Sequence, residues 1–357
     1  MAFAAEKAVS SAASRAEEAS SCSSAVLTPD GDEACSGDTG PGVRVYTERQ
    51  GPMPIWQQAL AVATLLGFMG IIYVLAALLL AAPFSRAAAL LAAAAWGTLL
   101  LPRGPLPWRA ALASPVFALW RRYFDYSVLY EVKLDPSQHY LFADYPHGAF
   151  PLSQLLGLTV RHRAAWEGDK FFGFAADAAF RIPLWRHVYS WLGIVPASAA
   201  NVRRYFKWGS VAVTPGGIRE MYLGGRPGHG RADHIYISGR KGFVRLAVTE
   251  GMSIVPVYHL GATQILGFGP AWLESYGRRW RFSLGLLHGV AGLPLPRRLP
   301  LMMCVGAPLA VEKLPPSDPR FEAAVDEAHA RYVAALRGMF ERHKAAYGWP
   351  DRELVMH

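Results

Sequence analysis

Charge is what this chain has little of: 18% of its 357 residues are Asp, Glu, Lys or Arg, against 52% hydrophobic ones. An ordinary soluble domain carries about a quarter charged residues, so the composition points to contact with a membrane. Cysteine is scarcer still. Three scattered residues, Cys22, Cys35 and Cys304, cannot build a disulfide framework or a thiolate metal cluster, and they fit a reducing, cytosol-facing compartment. Cys304 sits in the apolar run LMMCVG and reads as a core thiol. The chain also lacks a G-x-S-x-G elbow, zinc-ligand spacing, a recognition-helix pattern and an RNA-binding signature. These absences count against a serine hydrolase, a metal centre and a nucleic-acid partner. No apolar core opens the chain as in a secretory signal, and Glu6, Glu17 and Glu18 argue against an import peptide.

Acidic residues are thin everywhere except at the start. Residues 1–50 hold four Lys or Arg and eight Asp or Glu, so the chain's net +9 divides into −4 there and +13 on the rest. That basic body suits an anionic membrane surface or a phosphate-bearing ligand. The first 50 residues are rich in Ala, Ser and acid without an apolar period, and are expected to be a disordered tail.

Residues 51–108 read as a membrane-embedded helical hairpin. From Ala59 to Ala82 run 24 residues without a charge, about 36 Å of helix, enough to cross a hydrocarbon layer of about 30 Å. A second uncharged run, Ala87 to Leu101, has 15 residues, about 22 Å, so a re-entrant hairpin competes with two full spans. Trp56 and Trp108 flank the pair as interfacial anchors. Arg44, Arg49, Arg103 and Arg109 lie outside it and Arg86 alone between the runs, which puts both ends in the cytosol.

Residues 109–357 alternate short apolar runs with helical patterns. Strands are expected at Tyr140–Ala143, Phe171–Ala175, Ser210–Thr214, Ser253–Tyr258 and Met302–Val305. Helices are expected at Pro183–Leu192, Val202–Trp208, Gly242–Thr249 and Phe321–Tyr347. This order predicts an α/β fold with a largely parallel central sheet flanked by helices. In HYLFADYPHGAFP the apolar strand breaks at Pro146 and Gly148 with His147 between them, where open α/β sheets keep their chemistry. An imidazole there can accept a proton at cellular pH; a turn histidine bonded only to backbone is the plainer reading of the residue alone. In TPGGIRE, Pro215, Gly216 and Gly217 bring backbone close to a ligand and set Glu220 at a helix entrance, or form a plain turn. Arg240 and Lys241 open a helix whose free N–H groups favour an anion, or rest on lipid headgroups.

Together these pieces carry a resemblance. YPHG (Tyr145–Gly148), PLWRHVYSWLGIVPAS, TPGGIRE, GRKGFVRLAVTEG, IVPVYHLG, VGAPLAVEK and the ending HKAAYGWPDREL stand in this order from about Tyr123 onward. In that order the chain resembles the diacylglycerol acyltransferase type 2 family, whose members also include monoacylglycerol and wax-alcohol acyltransferases. Animal members resemble one another in His-Pro-His-Gly and plant members in Glu-Pro-His-Ser, so only the second histidine is retained here, as His147. The family's Tyr-Phe-Pro element stands as Tyr123, Phe124 and Asp125.

The resemblance implies a glycerolipid-acyltransferase-like fold at the endoplasmic reticulum membrane, lipid droplets being a second address. It implies no cofactor beyond the co-substrate acyl-CoA, with diacylglycerol and membrane lipid as partners; a homo-oligomer is left open. His147 is expected as general base, with Gly148, Gly216 and Gly217 near the oxyanion and Pro146 and Pro215 shaping their turns. CoA phosphates are expected on Arg240 and Lys241. Related glycerolipid acyltransferases orient their histidine with an acid five residues later, but that position is Leu152. Glu220, then Asp144, are the candidates for the missing acid. Triacylglycerol synthesis is the leading expectation, ahead of monoacylglycerol or wax-alcohol acylation, a lipid-droplet or lipid-transfer protein, and a lipid hydrolase.

Overall fold

A computed structural model describes residues 44–47, 52–101, 108–164, 170–223, 231–280 and 285–357. Arg44–Thr47 forms strand β1, so the expected tail departs from disorder there; the rest of 1–50 lies outside the described residues. Helix α1, Ile55–Ala81, is the one helix among the described residues long and apolar enough to cross a membrane. After a short turn Ser85 accepts the Ala88 N–H and caps α2, Arg86–Gly97. At about 1.5 Å per residue α2 reaches only half a bilayer, and a single 3₁₀ turn, Thr98–Leu100, extends it.

The hairpin is fastened to the body along one side. Ala61, Leu65 and Met69 of α1 are fully buried, while Leu79, Leu80 and Phe84 stand exposed. Trp120 Nε1 donates to Thr64 Oγ1 at 2.8 Å, and Trp185 Nε1 donates to the Phe68 carbonyl at 2.9 Å. At the far end Arg186, 3% exposed, donates to the carbonyls of Leu99 and Leu101. Those C-terminal carbonyls have no intrahelical partner, so a buried guanidinium both satisfies them and latches the hairpin.

Helices α3 (Arg109–Leu112) and α4 (Pro115–Tyr123) lead into β2, Ser127–Tyr130. Then follow β3 (Leu141–Tyr145), α5 (Leu152–Ala164), β4 (Lys170–Ala175), α6 (Trp185–Trp191), β5 (Ile194–Pro196) and α7 (Ala199–Phe206). Next come β6 (Gly209–Val213), α8 (Ile218–Leu223), β7 (Ala232–Ile235), α9 (Gly242–Glu250) and β8 (Ile254–Leu260). The chain closes with β9 (Gly267–Gly269), α10 (Glu274–Trp280), β10 (Leu286–His288), β11 (Met302–Val305), α11 (Phe321–Tyr347) and β12 (Glu353–Met356).

Eight strands form one sheet in the order β1-β2-β11-β8-β3-β6-β4-β5. The β1–β2 and β11–β8 junctions are antiparallel and the others parallel, the α/β architecture expected from the alternation. Side chains alternate between two faces. Phe142, Phe171, Ala212, Val257 and Met303 pack with α1, α4, α5 and α6 in one core. Leu141, Ala143, Tyr145, Val211 and Tyr258 pack with α9 and α11 in the other. The helical stripe Phe321, Val325, Tyr332, Leu336 and Phe340 is buried in this second core, as is Cys304.

Candidate active site

β3 ends at Tyr145, and the cis peptide to Pro146 turns the chain out of the sheet. Gly148 has φ +64°, and a Cβ there would stand 2.9 Å from the Ala262 carbonyl oxygen, so the turn requires glycine. Between these breakers, the Pro146–His147 peptide is held from both sides. Gln154 Nε2 donates to the Pro146 carbonyl at 2.5 Å, and the His147 N–H donates to Glu220 Oε2 at 2.6 Å. The ring is oriented by its own backbone: Nδ1 lies 2.9 Å from the Gly148 carbonyl. A carbonyl only accepts, so Nδ1 carries the proton and Nε2 keeps its lone pair. Burial lowers the imidazole's pKa below its usual value, opposed by the Gly148 carbonyl, and the ring is neutral at pH 7.

Glu220, in the first turn of α8, is 1% exposed. Its Oε1 accepts the Tyr236 N–H at 2.7 Å. A side chain on Gly216 would collide with this carboxylate, and Gly217 takes φ +65°, so the double glycine is what lets the acid reach the histidine turn. Burial raises the Glu220 pKa to about 7 against the two N–H donors, with Asp233 adding to the rise and Arg240 opposing it. The carboxylate therefore braces the backbone of His147 rather than the ring. Neither Glu220 nor Asp144 supplies the ring partner that the absent acid at Leu152 left open; Gly148 does.

Asp144 and Tyr145 are sequence neighbours on opposite faces of β3. Tyr145 packs on Tyr332 of α11. Asp144 faces the first core, with its Oδ2 3.9 Å from His259 Nε2, while Ser153 Oγ lies 2.8 Å from His259 Nδ1. This Ser, His and Asp grouping has the residue types of a hydrolase triad but not the access. All three are buried, Ser153 completely, and 3.9 Å exceeds a hydrogen bond.

The expected phosphate pair separates. Lys241 Nζ lies 2.7 Å from Asp326 at the surface, whereas Arg240 Nη2 donates to the Gly216 carbonyl at 2.9 Å. Arg240 also stacks on Tyr236, 5.1 Å from the ring centroid, and Arg219 stacks on the same ring at 4.3 Å. Two guanidiniums on one aromatic ring make a cationic cluster next to the Glu220 turn. Tyr236 was not among the expected site residues, because nothing in its local sequence marks it.

Near the turn lies a pocket. Asp144, Pro151, Gln154 and Thr214 border it near the turn, and Leu155, Leu158, Phe174, Tyr189 and Ile194 give it apolar walls. Tyr189, Trp185, Phe150 and Phe68 form a chain of ring contacts from this cavity to α1.

The family model for diacylglycerol acyltransferase matches residues 105–357. The chain belongs to the diacylglycerol acyltransferase family. It is 30% identical over 266 residues to 2-acylglycerol O-acyltransferase 1 of Bos taurus, covering 67% of this chain and 76% of that protein. It is also 29% identical over 250 residues to Diacylglycerol O-acyltransferase 2 of Dictyostelium discoideum, covering 63% and 73%. No solved structure matches the chain. The acyltransferase is thus assigned to lipid metabolism, and its matched region contains both glycine turns, the cationic cluster and the cavity.

Proposed function

We propose that this acyltransferase esterifies diacylglycerol with acyl-CoA to form triacylglycerol, using His147 Nε2 as general base. What supports the reading is one juxtaposition: a pinned imidazole with its lone pair on Nε2 stands on a turn held from one side by Gln154, which borders an apolar-walled pocket, and from the other by Glu220, whose helix carries Arg219 of the cation cluster. The reacting hydroxyl attacks the thioester carbonyl as Nε2 takes its proton. The tetrahedral oxyanion collapses, the C–S bond breaks, and the imidazolium protonates the departing CoA thiolate. Backbone N–H groups of Gly148, Gly216 and Gly217 are the proposed oxyanion donors. Arg219 joins Arg240 in holding CoA phosphates, and Lys241 acts only from the rim.

The hairpin keeps the body at the endoplasmic reticulum membrane with both its ends cytosolic, so the lipid arrives on the α1 side and the water-borne thioester on the other. The test is purified full-length protein in detergent, supplied with labelled acyl-CoA and a panel of glycerides and long-chain alcohols. Labelled triacylglycerol is expected, with a loss of about 10²- to 10⁴-fold in His147→Ala. Unchanged ester formation by that variant overturns the assignment of the base. Protein that binds lipid and makes no ester overturns the enzymatic reading.

A further inference from the structure

Away from the histidine turn, β9, α10 and β10 carry an apolar surface that the fold leaves open. Trp272, in the 3₁₀ turn Ala271–Leu273, and Tyr276 and Trp280 of α10 are 68%, 51% and 64% exposed. They recur every four residues, and their rings meet in a row with centroids 6.5 and 6.2 Å apart. Leu286 of β10, which pairs with Gly269 of β9, is exposed as well, as are Val290 and Leu293 beyond it. Large apolar side chains exposed singly are ordinary, whereas a contiguous aromatic row marks a surface that meets something.

The way this region is tied to α1 identifies the occupant. Tyr73 Oη donates to the Leu287 carbonyl at 3.1 Å and accepts the Leu287 N–H at 2.9 Å, so β10 is pinned beside the apolar helix. Arg298 Nη1 donates to Gln58 Oε1 at 2.9 Å. Gln58 and Tyr73 stand about 22 Å apart along α1. The chain from Leu287 to Arg298 therefore leads from the apolar middle of that helix back to its first turn. Polarity follows the same direction: residues 285–296 hold no Asp, Glu, Lys or Arg, and Arg297 and Arg298 come at the Gln58 end. Trp and Tyr favour the boundary between hydrocarbon and headgroups, and Arg279, exposed beside Trp280, suits anionic headgroups. We propose that the row of Trp272, Tyr276 and Trp280, with Leu286, is a second membrane-contacting surface that enters the same lipid interface as the hairpin. Because α10 packs against α8, this contact holds the helix carrying Arg219 and Glu220 close to the bilayer.

The inference rests on the membrane hairpin of the reading above, and label positions separate the two. Full-length protein with Cys22→Ser and Cys35→Ser, its buried Cys304 left in place, receives Tyr276→Cys, Phe84→Cys at the exposed hairpin turn or Glu327→Cys on α11 across the sheet. Each is labelled with bimane and reconstituted into vesicles of phosphatidylcholine and phosphatidylserine. The Tyr276 label is expected to lose about half its fluorescence to lipids brominated near the headgroup and to be shielded from aqueous iodide, as befits a depth of about 5–10 Å. The Phe84 label is expected to be quenched by bromolipid too, and the Glu327 label by iodide alone. A Tyr276 label open to iodide and untouched by bromolipid, with Phe84 quenched by lipid, overturns the inference and leaves the hairpin in place. A Tyr276 label shielded from both quenchers is covered by protein, a second copy of the chain, and overturns it as well. Bromolipid that reaches neither Phe84 nor Tyr276 removes the membrane hairpin and this inference with it. Should Tyr276→Cys fail to fold, Leu286→Cys reads the same surface with the same outcomes.

Discussion

The two faces of the central sheet are built from alternate residues of the same strands, yet they do different work. The face under α11 is tied to its helix: Tyr332 donates from its hydroxyl to the Ala143 carbonyl at 2.9 Å and packs on Phe243 and Tyr145. The face under α1 holds a pocket bordered by Asp144 and Gln154. A dense core determines where the carboxyl ends of the strands stand; a hollow one leaves room for a ligand there. His147 stands at the seam, and the comparison teaches that its usefulness comes from being rigid on one side and reachable from the other.

The largest break in that comparison is His147→Ala. It should lower kcat for ester formation by about 10²- to 10⁴-fold while thermal stability stays near wild type, because it removes the proton acceptor and leaves the pinned peptide in place. In wild type the rate should rise with pH and level off below neutrality, since the ring's pKa is depressed by burial.

Glu220→Gln comes next. One of its two backbone partners would face an amide N–H₂ instead of an acceptor, at a cost of about 1–3 kcal/mol. A ten- to hundredfold fall in kcat is the expected order, since misplacing a catalytic group by about an ångström has comparable consequences. The sign of its pH effect is fixed by linkage. With a folded pKa of about 7 against an ordinary value of 4.5, the native state holds more protons between them, so this group's contribution to stability falls as pH rises through that window. Melting curves of Glu220→Gln should lose this slope.

Arg219→Ala sharpens the division of substrates. It should raise KM for acyl-CoA about tenfold, the worth of a charge-assisted contact, and leave KM for the glyceride alone. Lys241→Ala, whose ammonium is already paired with Asp326 at the surface, should change KM for acyl-CoA less than about twofold. Smallest for activity is Tyr332→Phe, on the face under α11. It should cost about 1 kcal/mol in denaturant unfolding, the net value of one hydrogen bond, and leave acceptor choice untouched.

Much of this was legible in the linear chain. Apolar runs bounded by Gly and Pro located β3, β4, β6, β8 and β11 to within two residues, and His147 falls two residues beyond β3. Helix α5 was not read, because Leu152, Leu155, Leu156, Leu158 and Val160 place apolar residues nearly all round it, as a helix buried inside a core must. Nothing in its local sequence sets Arg186 apart from the other cations of the basic body; only folding brings the hairpin's terminal carbonyls to it. Strand β1 was missed for a related reason: its hydrogen-bond partners, Ser127–Tyr130, lie some eighty residues away in the chain.

Sequence by itself determined the fold class, the apolar hairpin, the histidine turn and the two glycines that let Glu220 approach, because each depends on local backbone freedom or on the period of apolar residues. Tertiary structure decided which way neighbouring residues face and what holds the imidazole. It also decided that Arg219 and Arg240 share Tyr236, and that Gln154 holds the Pro146 carbonyl. Those outcomes are pairings between segments far apart in the chain, and no local pattern encodes a hydrogen bond whose partner arrives only when the sheet closes.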